Sequence, residues 1–219
     1  MDRPSELEFF SFLAWTPRGE TDDQQRLAAW VKRDLKQERR HPAAGLPSDY
    51  IASRLIEEVE SDLLGRELPP DALLVPIPRS GLQKRGDLWP AFRIATALHA
   101  KGLGGGVVAL LSRAEALPRS ASRRSSSERN SVTDQVRTLR VDGTPGPGDS
   151  IVLIDDVVTS GATLLGAARA LVGATAVRSV RGFAAFRTVS DPAEFVTAVH
   201  PFRGRVIALP DGRTLARSR

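Results

Sequence analysis

Asp155 and Asp156 stand side by side, and Thr159-Ser160-Gly161-Ala162-Thr163 begins three positions later. Carboxylates cannot face a phosphate without a mediator, but they accept hydrogen bonds from vicinal hydroxyls and can act on a hydrated Mg²⁺. The second group has the opposite character. Its hydroxyls can donate, and Gly161 lets backbone come close. A helix starting there would aim free N–H groups and the positive end of its dipole at an anion. Both groups must be held in place. Ile151 to Ile154 is an unbroken aliphatic run, as in a strand buried on both faces of a parallel sheet. Leu164, Ala167, Ala168 and Leu171 follow at helical spacing. Any one of these parts fits an ordinary buried strand ending at a polar helix cap. Strand, acid pair, small-residue loop and helix together point to a ligand with a phosphate at one end and a sugar diol beside it, as in a ribose 5-phosphate.

Taken in order, residues 151–163 are four apolar residues, two acids, two apolar residues and Thr-Ser-Gly-Ala-Thr. This stretch closely resembles the 5-phosphoribosyl 1-diphosphate (PRPP) signature of the type I phosphoribosyltransferases. The resemblance implies that Asp155 and Asp156 hold the ribose hydroxyls and act on metal indirectly, through water or PRPP. It also implies that Thr159, Ser160, Gly161, Ala162 and Thr163 bind the 5-phosphate. No Gly-Lys-Ser/Thr follows, which excludes a P-loop. Hypoxanthine-guanine enzymes of this class place an aspartate where Thr159 stands, so the resemblance points away from that subgroup.

Composition bounds the rest. A chain of 219 residues with 41% hydrophobic content can build a core in one domain with an extension, or in two small ones. No apolar run reaches the ~18 residues of a membrane span. An acidic N-terminus does not read as a signal peptide. The absence of cysteine removes disulfides and thiolate metal sites and suits a reducing cytoplasm. His41, His99 and His200 are not spaced as metal ligands. Residues 1–75 carry 10 basic and 15 acidic side chains, a balance of −5, whereas residues 76–219 carry 21 and 11, a balance of +10. The basic part holds the phosphate motif and would attract a polyphosphate or a nucleic acid.

The positioning elements can be read along the chain. Phe9, Phe10, Phe12, Leu13 and Trp15 suggest a short strand or docking segment. Thr21 with Gln24 predicts a capping box, followed by a helix. Ser48 is expected to cap a second helix carrying Ile51, Leu55, Val59 and Leu63. A first core strand is predicted over 72–77. The loop after it, 78–86, holds three cations and two glycines and is a second candidate anion site. Asp87 is the expected cap of a helix ending before Gly102, and a strand is expected over 107–111. Residues 112–131, rich in serine and arginine, read as a mobile flap, with a strand over 136–141 returning from it. Beyond the motif, a strand over 176–186, a short helix over 191–199, a hairpin of 206–209 with 213–216, and a frayed tail over 217–219 complete the expectation.

That order resembles the type I core over about residues 70–187. Within it, Val75-Pro76-Ile77-Pro78, Arg85-Gly86, Leu111 with Arg113, and Glu128-Arg129-Asn130 are similar to the ComF-like, competence-associated family. The chain departs from that family at Asp87-Leu88-Trp89, within the flap, and in lacking the N-terminal zinc motif. The expected fold is therefore α/β, with a Rossmann-like parallel sheet flanked by helices. A mostly helical hood (1–70) would precede the core (71–187), and a C-terminal extension (188–219) with a small hairpin would follow. The resemblance implies a Mg²⁺-dependent transfer of phosphoribosyl from PRPP to an unidentified, nucleobase-like acceptor. Arg79, Ser80 and Gly81 would contact the diphosphate, and Arg129 would close the flap. A PRPP-sensing protein without catalysis and a nucleic-acid-associated accessory are the alternative readings. A homo-oligomer is compatible with all three.

Overall fold

The structure, a computed structural model, describes residues 4–41, 45–117, 131–146 and 148–218, apart from the side chain of Lys32. The apolar run near the N-terminus forms β1 (Glu6–Trp15). Helix α1 (Asp22–Trp30) starts at the expected capping box. Thr21 Oγ1 accepts from the Gln24 N–H, and the Gln24 side chain accepts from the Thr21 N–H. A π-helical stretch, Val31–Leu35, continues it. Then come α2 (Pro47–Glu58), α3 (Ser61–Glu67), β2 (Leu73–Pro76), α4 (Pro90–Ala100), β3 (Gly106–Val107) and β4 (Leu111–Arg113). After the undescribed residues 118–130 follow α5 (Val132–Thr138), β5 (Leu139–Val141), β6 (Ser150–Val158) and α6 (Ala162–Ala174). The chain closes with β7 (Ser179–Thr188), β8 (Val199–Ala208) and β9 (Thr214–Ser218).

Seven strands make one sheet in the order β3-β2-β6-β7-β1-β8-β9, and β4 pairs with β5 apart from it. The five strands from β3 to β1 run parallel, and β8 and β9 are added antiparallel. The protein is thus α/β, with a mixed, mostly parallel sheet between helices. Strand alternation sorts the core into two layers. Val152 and Ile154 face one layer with Phe10, Phe12, Leu35, Ile51, Leu55, Ile94 and Leu98. Ile151 and Leu153 face the other, with Phe9, Val75, Leu164, Leu165, Leu171 and Val206. Among the described residues, no helix is long and apolar enough to cross a membrane.

The aromatic run expected to form a short strand or docking segment does form a strand, and it lies between β7 and β8, where it can be buried on both faces. Several expectations need correction. Ser48 is not a cap. Pro47 opens α2, while the backbone N–H and hydroxyl of Ser48 donate to the buried carboxylate of Glu38. Asp87 does not cap α4 either, since its carboxylate accepts from the Lys84 N–H. The strand expected over 107–111 is split between β3 and β4. The alternation over 136–141 hides a helix turn, because Ser131 and Asp134 form a capping box that starts α5. The helix expected over 191–199 is only a 3₁₀ turn, Pro192–Glu194, and Val199 already belongs to β8. Arg217 and Ser218 are not frayed but pair with Arg205 and Gly204. The terminal hairpin does form, and it is longer than expected.

Candidate functional site

β6 carries the acid pair at its C-terminal end, between β2 and β7. Val152 and Leu153 are buried, while Asp155 and Asp156 are only partly covered. The Asp156 N–H donates to Asp155 Oδ1 and the Val157 N–H to Asp156 Oδ1, both at 2.9 Å. Each carboxylate therefore keeps further acceptor capacity for another donor. Burial pushes the Asp155 carboxyl well above the usual carboxylate range, and the adjacent Asp156 charge adds to this. Lys36, beyond the π-helical stretch, opposes the rise by its charge.

The loop then turns into α6 through Gly161, whose φ of +80° is left-handed and strained for other residues. A side chain there would also collide with Val206 of β8. Only glycine suits both the backbone turn and the close approach of the hairpin. Ala162 and Thr163 occupy the first turn of α6, whose thirteen residues align their dipoles behind the loop. Thr159 Oγ1 lies 3.0 Å from Thr188 Oγ1 and ties the loop to the end of β7.

The loop after β2 lies beside this end, because β2 and β6 pair in parallel and the Ile77 N–H extends the pairing to the Ile154 carbonyl. Arg79 donates through Nη1 to the Leu88 carbonyl at 3.1 Å, and Ser80 accepts from the Leu117 N–H at 2.7 Å. Arg79, Ser80 and Gly81 are thus brought to the same strand ends as Asp155 to Thr163. Arg129 lies outside the described residues.

The role of Arg113 was missed in the sequence, where it reads as a flap cation. It is 7% exposed and donates to the Arg79 carbonyl at 3.2 Å, to Thr138 Oγ1 at 2.6 Å and to the Gln135 side chain. Burial lowers its guanidinium to about 10, with the Asp155 charge pulling the other way. It ties the Arg79 loop to α5. Serine and arginine content alone could not separate this buried arginine from exposed ones, although its place within Leu111–Arg113 was a signal. Trp89, which stands where the ComF-like pattern differs, donates from its indole to the Ile77 carbonyl at 2.7 Å and braces the same loop.

Two cavities of about 300 Å³ each open near the strand ends. One is apolar and includes Leu13, Leu27, Trp30, Tyr50, Phe186 and Val199. The other is polar and lies against Thr159 and Ser160. Among the described residues, no group of three or more His, Cys, Asp or Glu side chains could hold a metal ion. No family model and no curated protein sequence matches the chain.

Proposed function

We propose that the chain binds PRPP across the ends of β2 and β6 and transfers its phosphoribosyl group to a flat, nucleobase-like acceptor. The observation that carries this reading is an acid pair followed by a glycine-capped helix start, at the end of a buried parallel strand. Asp155 and Asp156 accept hydrogen bonds from the ribose diol. The backbone and hydroxyls of Thr159 to Thr163 hold the 5-phosphate. Arg79, Ser80 and Gly81 meet the diphosphate. Mg²⁺ fits as a partner of oxygen ligands, with two carboxylates acting through water and substrate oxygens rather than forming a protein cage. It would supply charge neutralisation at the diphosphate.

Ribosyl transfer breaks the bond from the anomeric carbon to the diphosphate oxygen and forms one to the acceptor, through a cation-like carbon. Positioning and charge stabilisation are what the residues supply. An in-line displacement puts the acceptor opposite the diphosphate. The Arg79 loop follows β2, on one side of β6, and the apolar cavity lies across β7 and β1 on the other. Trp30, Tyr50 and Phe186 in that cavity favour a flat ring.

The test is calorimetry with PRPP and Mg²⁺, followed by turnover against a panel of nucleobases. Heat with turnover supports the reading. Heat without turnover reduces it to PRPP sensing, and no heat at millimolar PRPP removes it.

A further inference from the structure

The polar cavity holds features that the PRPP reading leaves unused. It lies among the motif loop, the end of β7 and the β8–β9 hairpin, lined by Thr159, Ser160, Arg187, Thr188, Ser190 and Thr214. The Arg187 side chain is only 11% exposed. Its guanidinium stands 4.2 Å over the Phe202 ring, Nη2 lies 3.4 Å from His200 Nδ1, and Nη1 lies 3.9 Å from Glu194 Oε2. Its Nε–H is buried with no hydrogen-bond partner among the described residues, and so is Thr214 Oγ1. An unmade hydrogen bond on a buried group costs about 1–3 kcal/mol, more on a charged one. The two residues that carry these atoms line one cavity.

We propose that this cavity is a second phosphate site, binding a phosphoryl group either as the free ion or as a small monoester. Arg187 supplies the charge, and the hydroxyls of Thr188, Ser190 and Thr214 supply neutral donors. A guanidinium with several hydroxyls can satisfy the three or four oxygens of a phosphoryl group, whereas a carboxylate offers only two. Val189, Phe202, Leu215 and Ala216 add apolar wall, and the volume exceeds that of the ion alone. Glu194 opposes an anion, but its carboxylate is 53% exposed and only weakly placed against Arg187. Asp155, Asp156, Thr163 and Arg79 are not part of this lining, and Thr159 and Ser160, which are, border the 5-phosphate loop from the other side. The Thr159–Thr188 contact joins the two, so each should sense occupancy of the other.

The experiment titrates the full chain with inorganic phosphate, without PRPP, and follows backbone amide resonances of Thr188, Ser190 and Thr214 to Ala216. Phenyl phosphate is run beside it, and the tighter ligand tells monoester from free ion. Saturable shifts at these residues are expected in the wild type and in Thr163→Val. In Arg187→Met and in Thr214→Val the affinity should fall about tenfold, the loss of one charge-assisted hydrogen bond. In Glu194→Gln it should rise. Thr214→Val is nearly isosteric, so it keeps the test valid if Arg187→Met folds poorly. Absence of shifts in the wild type overturns the proposal. So does a response that survives both Arg187→Met and Thr214→Val, or one lost only in Thr163→Val, which would put the ion in the α6 cradle.

Discussion

Two cavities of equal volume and opposite chemistry share one strand end. Phe186 lines the apolar cavity and Arg187 the polar one. They are neighbours on β7, and successive strand residues point to opposite faces. On one face Phe186 meets Trp30 at a ring distance of 5.7 Å. On the other Arg187 stacks on Phe202 beside the hydroxyls of the motif loop. A single strand thus separates an apolar, aromatic wall on one face from a polar, cationic one on the other. The acid pair lies on β6, the strand paired with β7, and lines neither cavity.

The contrast breaks most heavily at Phe186. Its side chain is fully buried, and Phe186→Ala should lower unfolding free energy by about 3–5 kcal/mol, measured in denaturant. Phosphate binding on the other face should change little in the fraction that remains folded. A loss under about 1 kcal/mol would mean that the apolar cavity is not anchored in the core.

Gly161→Ala should cost less, about 1–3 kcal/mol, the usual range for forcing a side chain into a left-handed backbone. The collision with Val206 adds to this. Val206→Ala should therefore rescue part of the loss but not all of it, which a double-mutant cycle by thermal unfolding would show. Strict additivity would remove the hairpin contact from the account.

The smallest effect concerns Asp155. Its carboxyl binds a proton more readily in the folded chain than in the unfolded one. The folded state therefore holds the greater number of protons as pH rises. Stability is full below the unfolded carboxylate value of about 4 and is lost as pH climbs through the raised folded value. Without added divalent cation, Asp155→Asn should raise Tm by a few degrees at neutral pH and show no advantage in acid. PRPP affinity should fall about tenfold at the same time. An Asn variant that melts earlier at neutral pH would make the pair structural.

The motif was legible because its signals are local. Ile151 to Ile154 reads as a buried strand, Gly161 as a turn and Leu164 to Leu171 as a helix, and each lies within a few residues of the next. The Thr21–Gln24 box and β2 were legible for the same reason. Where two local signals compete, the fold follows the one less visible in the sequence. Alternation at 136–141 masked the Ser131–Asp134 cap, and Ser48 and Asp87 resembled caps while their side chains were engaged elsewhere.

The strand, turn and helix of the motif and the side-chain types of its acid pair and loop were thus determined by the sequence itself, since both follow from spacing and residue type. Sheet order, the burial of Arg113, and the division of Phe186 from Arg187 were decided only by the tertiary structure. β1 lies between β7 and β8, so the apolar cavity joins segments far apart in the chain, Leu13 and Trp30 with Phe186 and Val199. The indole of Trp15 donates to Thr188 Oγ1 at 3.0 Å across 173 positions. Such pairings depend on which strands can bury both faces together, and no local window of the sequence contains both partners.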